Sequence, residues 1–146
     1  MKNQPHIKKQ VTWNVNKIFV LSLLALLLLA CAHGKTESFP TLDSSSANAQ
    51  VYVIRDSNLI GWGFSLKVAL DDSIIARLRS GEYVSFYVEP GFHSLGVSEP
   101  TVTIPFDKGH KYYFLISADY TKFGFELHRI SNQQAEMWLA RTKPIK

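Results

Sequence analysis

The stretch that decides the fold is GEYVSFYVEPGFHSLGV, which covers residues 81–97. Apolar side chains alternate with polar or tyrosine side chains through its first half, as they do in a β-strand that buries one face. The residues predicted to point into a core are Val84, Phe86 and Val88. Pro90 and Gly91 are residue types that favour turns. The stretch therefore predicts a central β-hairpin, whose return strand begins at His93.

Similar short apolar runs recur along the chain between groups of turn residues. The predicted strands cover residues 51–55, 63–70, 73–79, 83–89, 93–98, 101–106, 112–117 and 122–130. The arginines on these strands, Arg55, Arg77 and Arg79, are expected to be solvated charges. Short connections favour antiparallel pairing, because parallel strands need longer crossovers. The fold class predicted for residues 50–130 is all-β, a small antiparallel β-sandwich of seven or eight strands.

The C-terminal region, residues 131–146, changes to helical periodicity. Ser131 and Gln134 have the spacing of a capping box, in which each side chain accepts a hydrogen bond from the other residue's backbone N–H. Apolar residues between Ala135 and Leu139 follow at helical spacing. The sequence therefore predicts one short C-terminal helix that lays an apolar stripe against the sheet, followed by a tail.

The excess positive charge of the chain lies at its N-terminus. The sequence contains 16 Lys and Arg residues and 12 Asp and Glu residues. Four of the lysines lie within residues 1–17, so the remainder carries 12 basic and 12 acidic residues. A nucleic-acid surface needs clustered basic residues on the folded domain, so no nucleic-acid partner is predicted.

Residues 1–30 have the features of an export signal. The uncharged apolar run IFVLSLLALLLLA, residues 18–30, directly follows Lys17. A membrane-spanning helix needs about 20 apolar residues, whereas the apolar core of an export signal has about 7–15. The end of the run, LLAC at 28–31, resembles the lipobox of bacterial lipoproteins. Leu29 is a mild departure, because small or β-branched residues are more usual there.

Cys31 is the only cysteine, so the chain cannot form an internal disulfide. The lipobox resemblance implies that signal peptidase cuts before Cys31 and that its sulfur carries diacylglycerol. Several acyl chains together make a durable membrane anchor. The alternative is a plain secretory signal with an incidental cysteine.

Residues 31–49 are polar and rich in Ser and Thr, so they are predicted to form a flexible tether. Such a tether would hold the domain near the membrane. In the lipoprotein sorting pattern, an aspartate after the lipidated cysteine favours the inner membrane, and this chain has Ala32 instead. The expected location is the cell envelope, as an outer-membrane lipoprotein that faces the periplasm.

Several short motifs resemble an uncharacterised family of bacterial lipoprotein domains. They are IARL at 75–78, GEY at 81–83, VEPGFH at 88–93 and GHKYYF at 109–114. The last two carry the family's Pro-Gly-x-His and Gly-x-x-Tyr-Tyr patterns, and the resemblance covers roughly residues 50–130. It implies a fold similar to PEGA-type and prealbumin-like β-sandwiches. It implies no reaction, because the domain has no known function.

The sequence predicts no enzyme, no metal site and no cofactor. Its histidines lack the H-x-H or H-x-x-x-H spacing of metal ligands, and there is no G-x-S-x-G motif. Asp71 and Asp72 are adjacent in a turn, so their side chains should diverge rather than face each other across a cleft. His93 is expected to hydrogen-bond a carbonyl of the neighbouring turn.

A partner-binding face is the most specific functional prediction. Its residues are Trp62, Tyr83, Tyr87 and His93. Tyrosine and tryptophan can stack on sugar rings or anchor a protein partner. The alternative is that they only suit half-buried sheet surfaces. The leading hypothesis is a non-catalytic binding or scaffolding domain for another envelope component, a protein ahead of a glycan. A peptidoglycan-binding module comes second, and a small periplasmic enzyme third.

Overall fold

The computed structural model describes residues 35–37, 47–57, 63–99, 102–121 and 124–145. All of them belong to one compact unit, His33–Lys146. The predicted export signal, Cys31, most of the tether and Trp62 lie outside the described residues.

Ten strands and one helix make up the described part of the chain, and two of the strands have only two residues. The strands are β1 (Lys35–Thr36), β2 (Ala49–Arg55), β3 (Leu66–Leu70), β4 (Ser73–Leu78), β5 (Glu82–Val88), β6 (Gly91–Val97), β7 (Val102–Phe106), β8 (Lys111–Asp119), β9 (Gly124–Ile130) and β10 (Lys143–Pro144). The helix is α1 (Asn132–Leu139). In the described part of the chain, no helix has the length and apolar character needed to cross a bilayer.

The strands form two five-stranded sheets, in the orders β1-β4-β3-β6-β7 and β10-β5-β2-β8-β9. The first sheet is antiparallel throughout. The second is mixed, because β2 runs parallel to β8 and β5 runs parallel to β10. The all-β prediction is confirmed, but the prediction of seven or eight antiparallel strands is wrong in number and direction. Short connections constrain only consecutive strands, whereas β2 and β8 are far apart in the chain.

The predicted hairpin at Pro90 and Gly91 is also wrong. Strand β5 lies in the mixed sheet and β6 lies in the antiparallel sheet, so the chain passes between the sheets at this point. Gly91 has a φ of 145°, a backbone conformation that favours glycine. The chain passes between the sheets again at Gly81, where φ is 75°. The prediction failed because turn residues indicate that the chain changes direction, but they do not indicate which sheet the next strand joins.

The core lies between the sheets and draws apolar side chains from both. The inward prediction for β5 is confirmed, because Val84, Phe86 and Val88 are all buried. Phe106 of β7 packs edge-on against Tyr112 of β8, with ring centroids 4.8 Å apart. Both sheets therefore contribute to one continuous apolar layer, as in a β-sandwich.

Arg55 is buried, which corrects its expected exposure. Only 1% of its surface is accessible. Its Nη1 donates to the carbonyls of Phe64 and Leu78, each at 2.8 Å. The guanidinium also lies 5.5 Å from the ring centroid of Phe64 and 5.4 Å from that of Phe125. Because Arg55 is on β2 and Leu78 is on β4, this side chain joins the two sheets.

The C-terminal helix begins with the predicted capping box. Ser131 Oγ accepts from the backbone N–H of Gln134, and Gln134 Oε1 accepts from that of Ser131. Ala135 is fully buried. After the helix, the tail adds β10 alongside β5, a pairing that no sequence period indicated because it involves only two residues.

Candidate functional site

Four tyrosines lie on the outer face of the mixed sheet, and we call them the tyrosine face. They are Tyr52 on β2, Tyr83 and Tyr87 on β5, and Tyr113 on β8. Each strand alternates core residues with outward ones, which places all four side chains on the same side of the sheet. All four are half-buried. The sheet therefore presents a cluster of aromatic rings on the side away from its core.

Tyr52 is at the centre of the tyrosine face. It is in register with Tyr113 on one neighbouring strand and with Ser85 on the other. The rings of Tyr52 and Tyr113 stack with centroids 5.0 Å apart and planes inclined by 24°. Ser85 is exposed beside this pair. The arrangement combines a fixed aromatic stack with an open polar position.

Helix α1 packs over the mixed sheet at β8. Ile54 points to the same side as Tyr52, yet it is fully buried and is not part of the core between the sheets. Ala135 of the helix is buried too. We infer that the helix and the C-terminal tail cover the end of the outer face near Ile54. Lys111 at the opposite end and Ser85 at the centre are both exposed, so the tyrosine face is open at these positions.

The phenols of Tyr52 and Tyr113 are harder to ionise than an ordinary tyrosine side chain, because burial raises the pKa of both. Burial raises the pKa of Tyr52 above its ordinary value, and the neighbouring Tyr87 and Tyr83 raise it further. Burial also raises the pKa of Tyr113, with Tyr52 and Glu136 adding to the effect and Lys111 opposing it. Both hydroxyls therefore stay protonated across the physiological range and can donate hydrogen bonds.

The structure brings together only part of the sequence-predicted binding face. Tyr83 and Tyr87 lie on the tyrosine face, whereas His93 is on β6 of the other sheet. Tyr52 and Tyr113 were missed by the sequence analysis. Period-two alternation within β2 and β8 indicates that both point away from the core, but only the parallel pairing of these strands shows that they meet.

His93 belongs to a separate polar cluster at the turn between β3 and β4. Its Nδ1 lies 2.8 Å from Asp71 Oδ2, and its Nε2 lies 3.1 Å from the carbonyl oxygen of Glu89. The second carboxylate oxygen of Asp71 accepts from the backbone N–H of Ser94 at 2.8 Å. The predicted hydrogen bond between His93 and a turn carbonyl is confirmed. The cluster links the β3–β4 turn to the start of β6.

An aspartate beside a histidine resembles part of a catalytic triad, but this geometry favours a structural role. In a triad, one ring nitrogen binds the carboxylate and the other is free to take a proton from a nucleophile. Here both nitrogens of His93 face acceptor oxygens, from Asp71 and Glu89. Neither ring nitrogen is therefore directed at an open position where a nucleophile could lie.

We expect Asp71→Asn to lower the free energy of unfolding by about 1 kcal/mol near neutral pH, because the charge-assisted bond to His93 is lost from a half-exposed site. Asparagine tolerates the positive φ of 50° at this position, so the turn should persist. Partial burial would raise the pKa of Asp71, but the hydrogen bonds from His93 and Ser94 outweigh it and lower the pKa.

The stabilisation by Asp71 is thus present above the ordinary carboxyl pKa and is lost as the pH falls through the lower, folded-state value. Urea unfolding curves of wild type and variant should converge as the pH drops below the ordinary carboxyl pKa. Asp72→Asn, in the same turn, is the control, and its difference from wild type should stay small throughout. A constant difference for Asp71→Asn down to the lowest pH would contradict this account.

No three residues among His, Cys, Asp and Glu in the described ranges lie close enough together to hold a metal ion. Comparison of the chain with protein-family models, curated proteins and solved structures gives no match. The residues of this chain are therefore the basis for any functional proposal.

Proposed function

We propose that this protein is a lipid-anchored lipoprotein of the cell envelope, whose β-domain binds another envelope component through the tyrosine face. The observation that carries the proposal is the cluster of four half-buried tyrosines on one side of the mixed sheet. The anchor is supported by the lipobox-like LLAC at residues 28–31, which follows an apolar run of signal-peptide length.

Tyrosine suits a binding surface for physical reasons. Its ring adds a large apolar area with few rotatable bonds, and its hydroxyl can still hydrogen-bond at the rim. β-Propensity accounts for tyrosine on any one strand. β-Propensity does not explain why tyrosine rings from three adjacent strands lie on one face, next to the exposed residues Ser85 and Lys111. We propose a protein partner, because apolar rings bordered by polar positions match the core and rim of protein interfaces.

A non-catalytic role is supported by the use of His93, whose two nitrogens are both engaged in holding a turn. The other histidine contacts in the described residues are also local. His110 Nδ1 lies 3.0 Å from the carbonyl of Lys108, two residues before it. His128 lies 3.6 Å from Glu126 on the same strand. These contacts hold turns and strand surfaces rather than line a cleft.

A glycan is the second candidate ligand, and the spacing of the tyrosines on β5 favours it. Tyr83 and Tyr87 are four residues apart on one strand, so they lie about 13 Å from each other along it. That separation would let the two rings contact different sugars of one chain. Tyr52 is in register with Ser85, halfway between them along the sheet, and its stacking partner Tyr113 is one strand further on.

The test replaces Tyr87 with a photo-crosslinking residue in the full-length protein in cells. We expect a discrete crosslinked product, and we expect Tyr87→Ala to weaken binding of the purified partner at least tenfold. Tyr120→Ala is the matched control, because Tyr120 is 61% exposed and lies outside the tyrosine face, so its affinity should not change.

Sedimentation with purified cell-wall sacculi separates the two ligand classes. Co-sedimentation that is lost in Tyr87→Ala but kept in Tyr120→Ala would favour the glycan over the protein. If neither assay distinguishes Tyr87→Ala from Tyr120→Ala, the tyrosine face is not a binding site.

A further inference from the structure

A groove opens between the two sheets on the side where β7 and β9 are the edge strands; we call it the edge groove. Its lining residues are Val102, Thr103, Ile104, Pro105, Phe114, Leu127 and Arg129. Residues of β7 form one wall and residues of β8 and β9 form the other. The volume is about 230 Å³, below the roughly 300–1,000 Å³ of sites for drug-sized ligands. A single extended chain fits such a groove better than a bulky ring system.

Among the described residues of the lining, all are apolar except Thr103 and Arg129, and Arg129 is the one that carries a charge. The guanidinium of Arg129 lies over the ring of Tyr112, with Cζ 4.8 Å from the centroid. Within the described residues it has no carboxylate partner and no side-chain hydrogen bond. Stacking occupies a face of the guanidinium, whereas its N–H donors lie in the plane. Arg129 can therefore bind an anion without leaving Tyr112.

We propose that the edge groove binds a fatty carboxylate, with the alkyl chain between β7 and β9 and the carboxylate on Arg129. An alkyl chain matches the apolar walls, because its burial removes apolar surface from water. The planar fork of one guanidinium matches a carboxylate with two parallel hydrogen bonds. Phosphate groups are more often bound by several arginines, whereas the described residues of the lining include one. The occupant is thus set by the charge and shape of the groove.

This site is independent of the tyrosine face. The edge groove opens between the sheets, whereas the tyrosine face is on the outer side of the mixed sheet. A protein partner or glycan on the tyrosine face would leave Arg129 accessible. Failure of either proposal therefore leaves the other standing.

The test uses the full-length protein held in amphipol and a medium-chain fatty carboxylate that carries a diazirine in its alkyl chain. We expect saturable, light-dependent labelling of peptides that contain residues 102–105 or 127–129. Laurate should compete, and the uncharged lauryl alcohol should compete much less well. Arg129→Gln should raise the half-saturating concentration about 10- to 100-fold, the usual contribution of a charged hydrogen-bond pair. The matched control Arg141→Gln, an exposed arginine after the helix, should leave it unchanged.

A second variant tests the walls of the groove without touching the cation. Val102 is 44% exposed at the groove, so Val102→Glu should fold normally and exclude the anionic probe by charge repulsion. Equal competition by laurate and lauryl alcohol would overturn the proposal, as would unsaturable labelling spread along the chain. An Arg129→Gln affinity equal to that of wild type would also overturn it. The proposal would also be overturned if the wild-type protein were not labelled but formed a dimer that Val102→Glu dissociates. A second copy of the chain would then occupy the groove.

Discussion

Arg55→Met is expected to destabilise the β-domain by about 3 kcal/mol. Methionine has a similar length and can pack between the rings of Phe64 and Phe125, but it cannot donate hydrogen bonds. The carbonyls of Phe64 and Leu78 would lose the donor that each now has at 2.8 Å. The bond to Leu78 is buried and the bond to Phe64 is part-buried. A buried acceptor left without a partner costs about 1–3 kcal/mol and a part-buried one costs less, so together they exceed the apolar gain. The midpoint of thermal unfolding should fall by roughly 12–24 °C for a domain of this size.

The charge of Arg55 also affects the stability of the domain. Burial lowers the pKa of Arg55, and the neighbouring carboxylates Asp56 and Glu82 oppose that effect. Removal of the guanidinium would take away the positive charge near both carboxylates. Arg55→Lys should be intermediate. Both bonds come from the single nitrogen Nη1, so an ammonium can donate to the two carbonyls and keeps the charge. The lysine side chain is one atom shorter, however, and lacks the planar group that lies over the two rings.

Arg77→Met is the matched control for this prediction. Arg77 lies on the antiparallel sheet and pairs with Glu37, with more than a third of each side chain exposed. Such exposed pairs contribute about 0–1 kcal/mol, so the control should unfold close to wild type in urea. If Arg55→Met and Arg77→Met unfold at the same urea concentration, then water reaches the two carbonyls and Arg55 does not join the sheets.

Cys31→Ala is expected to abolish the lipid anchor. Without the cysteine, no thioether to diacylglycerol can form, and the precursor would not meet the requirements of lipoprotein signal peptidase. The lost anchor would be large, since each buried methylene contributes about 0.8 kcal/mol. In cells given labelled fatty acid, wild-type protein should incorporate the label and fractionate with membranes. Mature Cys31→Ala protein should show neither the label nor membrane fractionation. Uncleaved precursor can be told apart from the mature protein by its greater mass.

Ala32→Asp is the control for the anchoring prediction. It leaves Cys31 in place, so labelling should continue, while the lipoprotein sorting pattern predicts a shift from the outer to the inner membrane. Labelling and membrane fractionation that persist in mature Cys31→Ala protein would show that residue 31 is not the lipidation site. The plain secretory signal would then be the better interpretation.

The alternation in each run was sufficient to predict where the eight longer strands lie. Each of them overlaps one predicted run, although their bounds differ by up to three residues. The inward positions of β5 followed from the same alternation, because a strand with one buried face must place every second side chain in the core. The capping box at Ser131 was equally local, since its two hydrogen bonds span three residues.

These local patterns do not predict which distant strands pair with each other. The turn residues near Gly91 predicted a reversal, yet β5 and β6 are in different sheets. Arg55 was expected in water, because a charged residue on a strand carries no local sign that two carbonyls and two rings will enclose it. The two-residue strands β1 and β10 are too short to show any period.

The sequence by itself determined the all-β class, the face that β5 buries and the start of the helix, because these depend on neighbours within a few residues. It also predicted Tyr83 and Tyr87 as a candidate surface. Only the tertiary structure shows that Tyr52 and Tyr113 lie beside them and that His93 is on the other sheet. The groove beside Arg129 is also visible only there. Those features depend on which distant strands pair, and pairing is decided by packing of the whole core rather than by any one segment.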